Sequence, residues 1–284
     1  MIQEVDFHSH TVHSDGTLTP AELVALAKER GIKALALTDH DTTGGLDEAL
    51  AAGEREGVEI IPGIEISVVY EPGTMHILGY FIDHKSTRLQ ELLKGIQRDR
   101  ADRNPQIIKK LNALGIEITL EEVVKESGGG QVGRPHFARV LINKGRAKNI
   151  EDAFRKYLGK DAPAYVNKRR VLPEEGIRMI RDAGGVAVLA HPKLLRAEAG
   201  EFDGILDGLV AAGLEGLEVY SSCQNQEEAE RFKAAAERRR ILVTGGSDFH
   251  GTNKADVELG HMGSWASMTY EALSRMKGAL AGRN

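Results

Sequence analysis

Short apolar runs alternate with amphipathic helical patterns along most of this chain, and that alternation leaves few folds open. Strands are expected over residues 5–10, 34–39, 59–67, 75–82, 185–191, 216–220 and 242–246. The clearest helix starts at Thr19-Pro20-Ala21-Glu22, a capping box with proline at the first helical position. Leu23, Leu26 and Ala27 continue it as a helical stripe, and Gly31 ends it. Further helices are expected over residues 45–56, 173–183, 203–212, 226–239 and 270–280. Such alternation implies a mostly parallel sheet or barrel with helices outside. Residues 59–67 and 75–82 are joined through Glu71-Pro72-Gly73, too short a link for a crossover helix, so a hairpin is expected there.

Residues 89–168 break the pattern. They read as helices over 89–114, 120–126, 135–144 and 150–158, with Gly128-Gly129-Gly130 as a break. The expected organisation is a barrel built from residues 1–88 and 169–284, with a helical insertion over 89–168.

The 284 residues suit one large domain carrying such an insertion. Cys223 is the only cysteine, which rules out an internal disulfide and thiolate metal sites and fits a reducing cytoplasm. The start MIQEVDFHSH lacks the basic and apolar blocks of a signal peptide, and no run approaches the roughly 18 apolar residues of a membrane span, so no membrane partner is expected. A net charge of −5 argues against coating duplex DNA but not against a small anionic substrate.

The metal-type residues gather at strand ends. His8 and His10 end the first strand, with Asp15 a short loop beyond. Asp39, His40 and Asp41 end the second. Glu65 lies near the end of the third and His76 in the fourth. His191 follows in Ala190-His191-Pro192, and Asp248 and His250 in Gly246-Ser247-Asp248-Phe249-His250. Strand ends of an α/β barrel meet at one face. Residues i and i+2 of a strand point the same way, so His8 with His10, and Asp248 with His250, each present two groups to one side. A single histidine beside a strand is more often packed or solvated than a ligand. Here six of ten histidines hold such positions, mostly beside carboxylates, and burying them all unpaired would be costly. A metal cluster removes that cost. Nitrogen and oxygen donors suit Zn, Mn or Fe(II).

In this order the motifs His8-Ser9-His10, Thr38-Asp39-His40-Asp41, Gly63-Ile64-Glu65, Ala190-His191-Pro192 and Gly246-Ser247-Asp248-Phe249-His250 resemble those of the PHP (polymerase and histidinol phosphatase) family. The resemblance spans nearly the whole chain outside the insertion. It implies an amidohydrolase-like, distorted (β/α)7 barrel that carries two or three divalent metal ions. On that resemblance His8, His10, Glu65 and Asp248 would hold one metal. Glu65 would bridge to a second, completed by His76 and His191, and Asp15, His40 and His250 would hold a third, with Asp15 preferred over His13. Asp39 and Asp41 would orient ligand imidazoles. Paired metals roughly 3.5–4 Å apart can generate hydroxide for in-line attack on a phosphomonoester. Asp248, His191 and His250 are then the candidate catalytic groups, with the two histidines as candidate proton donors to the leaving oxygen.

Within the insertion, Gly133-Arg134-Pro135-His136 places Arg134 just before a helix and His136 in its first turn. A helix N-terminus with a guanidinium makes a phosphate site, and the same pattern also starts plain surface helices. The segment, with Phe154-Arg155-Lys156-Tyr157-Leu158, resembles the insertion of the PHP branch that acts on 3′,5′-nucleoside bisphosphates and the 5′ ends of short RNAs. In that branch the insert caps the barrel and holds the nucleotide. Arg134, His136 and Lys168 are therefore the candidate substrate contacts, although the run Lys168-Arg169-Arg170 also fits a solvated face. Phe137, Tyr165 and Trp265 could stack on a base or belong to the core. The expected function is hydrolysis of nucleotide phosphomonoesters, removing the 3′-phosphate of a 3′,5′-bisphosphate, with 5′–3′ exonuclease action on short oligonucleotides. Histidinol-phosphate phosphatase and a non-catalytic PHP module of a larger assembly are the competing readings.

Overall fold

The computed structural model describes residues 4–127, 130, 132–166, 171–266 and 268–282. Seven strands follow one another in a single sheet: β1 (Val5–Asp6), β2 (Ala34–Leu37), β3 (Glu59–Val68), β4 (Met75–Tyr80), β5 (Val186–Leu189), β6 (Gly216–Ser221) and β7 (Leu242–Gly246). Only β4 runs against its neighbours, pairing antiparallel with β3 and β5, while the other neighbouring pairs are parallel. The sheet curls until its edges meet. The Phe7 N–H donates to Gly245 O at 3.2 Å, Asp248 N–H to His8 O at 2.9 Å and His10 N–H to Phe249 O at 2.9 Å. The result is a distorted seven-stranded α/β barrel, with the expected hairpin at β3–β4.

β1 and β2 are shorter than the sequence suggests because side chains replace the ladder at their ends. The Ser9 N–H donates to Thr38 Oγ1 and the Thr11 N–H to Asp39 Oδ1. Two apolar clusters follow the alternation of the strands. Val5, Ala34, Ala36, Ile61, Leu78, Tyr80, Val186 and Val188 share one cluster. Leu35, Leu37, Ile64, Ile66, Leu189 and Leu217 join the other, together with the apolar faces of α1 (Pro20–Glu29), α2 (Leu46–Glu56) and other surrounding helices. Thr19 caps α1 with the capping box read from the sequence.

Between β4 and β5 the chain leaves the sheet through α3 (Thr87–Ala113), α4 (Leu120–Glu126), α5 (Arg134–Asn143) and α6 (Ile150–Ala153), returning along α7 (Pro173–Asp182). Past α6, residues expected to continue as ordinary helix widen into a π turn, Phe154–Leu158, closed by the Gly159 N–H on Phe154 O at 2.7 Å. α3 has 27 residues, a length of about 40 Å. It joins the barrel's outer cluster through Leu89 and Leu93, and a third cluster with Phe137, Leu141 and Leu158 through Ile107 and Leu111. The helical layer also touches the barrel at Gly130, where a Cβ would lie 1.7 Å from Val12 O. The remaining helices are α8 (Ala199–Ala211), α9 (Gln226–Arg239) and α10 (Tyr270–Ala281); α8 begins ahead of the expected residue 203. Among the described residues no helix is long and apolar enough to cross a membrane.

Candidate metal centre

The parallel strands deliver their C-terminal ends to one face. Because β4 is inverted, its first residues arrive there too, with His76 paired to Ser67 near the end of β3. All nine residues expected as metal ligands meet at this face. Their donor atoms form four overlapping groups: His10, Asp15, His40 and His250; His8, Glu65 and His191; His8, His10 and Asp248; and His40, Glu65 and His76. Within each group the atoms lie within 4.8 Å of one another. Glu65 is the centre: Oε2 lies 3.1 Å from His8 Nε2, 3.2 Å from His10 Nε2 and 3.2 Å from His40 Nδ1, and Oε1 lies 2.7 Å from His76 Nδ1 and 2.9 Å from His191 Nε2. Asp248 Oδ1 sits 3.5 Å from His8 Nε2 and 3.4 Å from His10 Nε2, and Asp15 Oδ1 is 3.3 Å from His250 Nε2. His13, outside these groups, packs against Gly44 and Gly45.

The charges fit cation binding. Burial would raise the Glu65 carboxyl, but His40, His8 and His76 hold it well below the usual range. Burial likewise opposes ionisation of Asp15 and Asp248. His250, His40 and His10 keep Asp15 ionised, and Lys254, His8 and His250 keep Asp248 ionised. Burial drives the His40 imidazole down to about 3, against the opposing pull of Glu65 and Asp15. His10 Nε2 and Asp15 Oδ1 are buried against charged neighbours but lack a well-aligned hydrogen bond, and divalent cations are the ligands such oxygen and imidazole donors suit.

The profile of the PHP domain family matches residues 6–164. The chain belongs to the PHP domain family. It is 36% identical over 258 residues to the 3′,5′-nucleoside bisphosphate phosphatase of Chromobacterium violaceum, covering 90% of each chain. It is 36% identical over 247 residues to the 5′-3′ exoribonuclease Rnm of Escherichia coli, covering 86% of this chain and 84% of that one. It superposes on a candidate metal-dependent phosphoesterase of Bifidobacterium adolescentis with a TM-score of 0.85 at 33% identity, covering 96% of this chain and 95% of that one.

The PHP cluster is held by residues whose role the motifs did not announce. Asp6 accepts from the His8 N–H at 3.1 Å, the Ser247 N–H at 2.9 Å, Ser247 Oγ at 2.5 Å and the Gly260 N–H at 2.8 Å, tying the first and last PHP motifs together. Glu218, fully buried in β6, lies 2.9 Å from His8 Nδ1. Its signal was an acidic residue in the middle of an apolar strand, Gly216-Leu217-Glu218-Val219-Tyr220, where a charge needs a buried partner. Asp39, expected to orient an imidazole, instead bonds Thr11 and Ser14, and only Ser14 Oγ comes within 3.4 Å of His10 Nδ1. Asp41 accepts from the Ser67 N–H at 2.9 Å and pairs with Arg100. Three of the seven positive-φ non-glycine residues among those described, Asp41, His191 and Asp248, stand in this site. Backbone strain of that kind concentrates where geometry is dictated by function.

Arg134 and His136 head α5 in the helical layer. The Arg134 guanidinium lies 5.6 Å from the Phe154 ring centre and 5.7 Å from that of Tyr165, and donates to Leu158 O at 3.3 Å. His136 is buried and its Nδ1 accepts from the Gly133 N–H at 2.9 Å, which leaves Nε2 as the donor. Arg103, missed in the sequence, is buried with its Nε unpartnered. Burial, then the charges of Arg100 and Arg134, push its guanidinium down to about 9. Phe137 is a core residue of the helical layer, and Trp265 packs against Tyr220. Lys168 lies outside the described residues.

Proposed function

We propose that the chain is a metal-dependent phosphoesterase that removes the 3′-phosphate of 3′,5′-nucleoside bisphosphates and shortens short RNAs from the 5′ end, acting in the cytoplasm. One observation carries this reading: a Glu65-centred histidine and carboxylate cluster on the barrel end, joined through Asp41 to a helical layer holding Arg100, Arg103 and Arg134. Two phosphates on one substrate would meet two cationic regions.

His8, His10, Asp15, His40, Glu65, His76, His191, Asp248 and His250 would hold two or three Mn, Zn or Fe ions. The shared memberships of His8, His10, His40 and Glu65 support adjacent rather than isolated positions. Divalent metals held there polarise phosphoryl oxygens and make water nucleophilic at neutral pH. The protein's own groups do the rest. Lys254, 2.5 Å from Asp248 Oδ2, adds positive charge at the rim of the cluster. His191 and His250 are the candidate proton sources for the leaving oxygen. Arg134, His136 and Lys168 would take the second phosphate, and residues 89–168 would serve as the cap over the barrel built from 1–88 and 169–284.

The test is phosphate release with Mn(II) from adenosine 3′,5′-bisphosphate, AMP and histidinol phosphate. Turnover of the bisphosphate well above the other two, abolished by Asp248→Ala, is expected. Preference for histidinol phosphate would overturn the nucleotide assignment, and no release from any of them would overturn the catalytic one.

A further inference from the structure

Glu218 uses both carboxylate oxygens on the metal cluster without facing it. Oε1 lies 2.9 Å from His8 Nδ1, and Oε2 accepts the His191 N–H at 2.6 Å. On the far side of these two residues, His8 Nε2 stands 3.1 Å from Glu65 Oε2 and His191 Nε2 stands 2.9 Å from Glu65 Oε1. His191 takes φ 24° and ψ 65°, a conformation that a residue with a Cβ adopts only when its surroundings impose it. Its amide is held by Glu218, beside the Leu194 N–H that donates to the His191 carbonyl at 2.9 Å. The β6–β7 ladder slips between Glu218 and Tyr220, and such bulges re-aim side chains beside active sites.

We propose that Glu218 is the positioning residue of the metal position formed by His8, Glu65 and His191. One carboxylate sets two ligands: it selects the Nδ1–H form of His8, which leaves the Nε2 lone pair for the metal, and it fixes the backbone turn that brings the His191 imidazole to the same point. This rests on the reading of that trio as metal ligands.

The test compares wild-type enzyme with Glu218→Gln and with Thr244→Val. Thr244 is the strand partner of Glu218 and equally buried, and it touches neither His8 nor His191 through a hydrogen bond. Metal content and affinity are measured by Co(II) titration, followed through the visible ligand-field spectrum. Glu218→Gln should bind the affected metal about 10–100-fold more weakly. Its kcat on adenosine 3′,5′-bisphosphate should fall with KM within about twofold, since substrate binding is untouched. Thr244→Val should match wild type. Unchanged affinity in Glu218→Gln, or equal loss in Thr244→Val, overturns the proposal. The His8 tautomer is read directly from nitrogen-15 spectra of the metal-free wild-type enzyme at alkaline pH, where no metal fixes it, which decides the matter even if Glu218→Gln does not fold. A protonated Nδ1 supports the proposal and a protonated Nε2 overturns it. Wild-type enzyme that takes up no metal would instead overturn the metal-centre reading itself.

Discussion

Arg100, midway along α3, forms an ion pair with Asp41 of the barrel, and the Asp41 N–H donates to the Glu65 carbonyl at 3.0 Å. The helical layer is therefore tied by a charge pair to the strand end that carries Glu65, the centre of the cluster. Asp41 is fully buried, so removing its partner leaves a charge in low dielectric. Arg100→Met should cost roughly 3 kcal/mol in urea unfolding, and Asp41→Asn in the same background should recover part of it. A loss below about 0.5 kcal/mol would show the pair to be a passive contact.

Metal-free enzyme should lose stability as pH rises. Burial alone would lower the His10 imidazole, but Asp248 and Glu65 retain its proton and raise it from 6.5 to about 9. With the folded value above the unfolded one, the stabilisation is complete below pH 6.5 and is lost as pH climbs through about 9. The Tm in EDTA should fall across that window, and saturating metal should remove the trend. Metal uptake at pH 7 should also release protons, because the ligands must be neutral imidazoles. Calorimetry in two buffers of different ionisation enthalpy would measure the release, and a value of zero would contradict the charge state assigned to His10.

Arg134 should discriminate between substrates by their second phosphate. Losing a charge-assisted hydrogen bond of about 1.5–3 kcal/mol corresponds to a rise of about 10–100-fold in KM for adenosine 3′,5′-bisphosphate. A monoester without a second phosphate, such as p-nitrophenyl phosphate, should be hydrolysed by Arg134→Ala at the wild-type rate. Equal losses on both would place Arg134 in the fold rather than at the substrate.

Gly246 should tolerate no side chain. A Cβ there would stand 2.2 Å from His8 Cβ and 2.5 Å from the His8 amide nitrogen, so the two edges of the barrel could not close. Gly246→Ala should destabilise by about 1–3 kcal/mol and weaken metal binding, read by thermal unfolding with and without Mn(II). An unchanged Tm in both conditions would contradict the close approach of β7 to the first PHP motif.

Most element types, the histidines and carboxylates that meet at the barrel end, and the helical break were legible along the chain. Strand and helix periods are local, and metal-type residues at strand ends stand out against apolar neighbours. Gln226–Arg239 and Leu242–Gly246 match their expected bounds to the residue, and in the structure Asn225 caps the helix. What the tertiary structure alone decided is which atoms share a site. His76 reaches the cluster because β4 runs backwards; the short Glu71-Pro72-Gly73 link announced that hairpin, but not the register that sets His76 opposite Ser67. The same holds for His10 standing with Asp15, His40 and His250 as well as with His8 and Asp248. Glu218 and Arg103 carried no motif; their place beside His8 and among the arginines depends on barrel closure and on α3 crossing to the helical layer. Periodicity is set by near neighbours along the chain, whereas the electrostatics of a site are set by groups some two hundred residues apart, and only the folded chain brings those together.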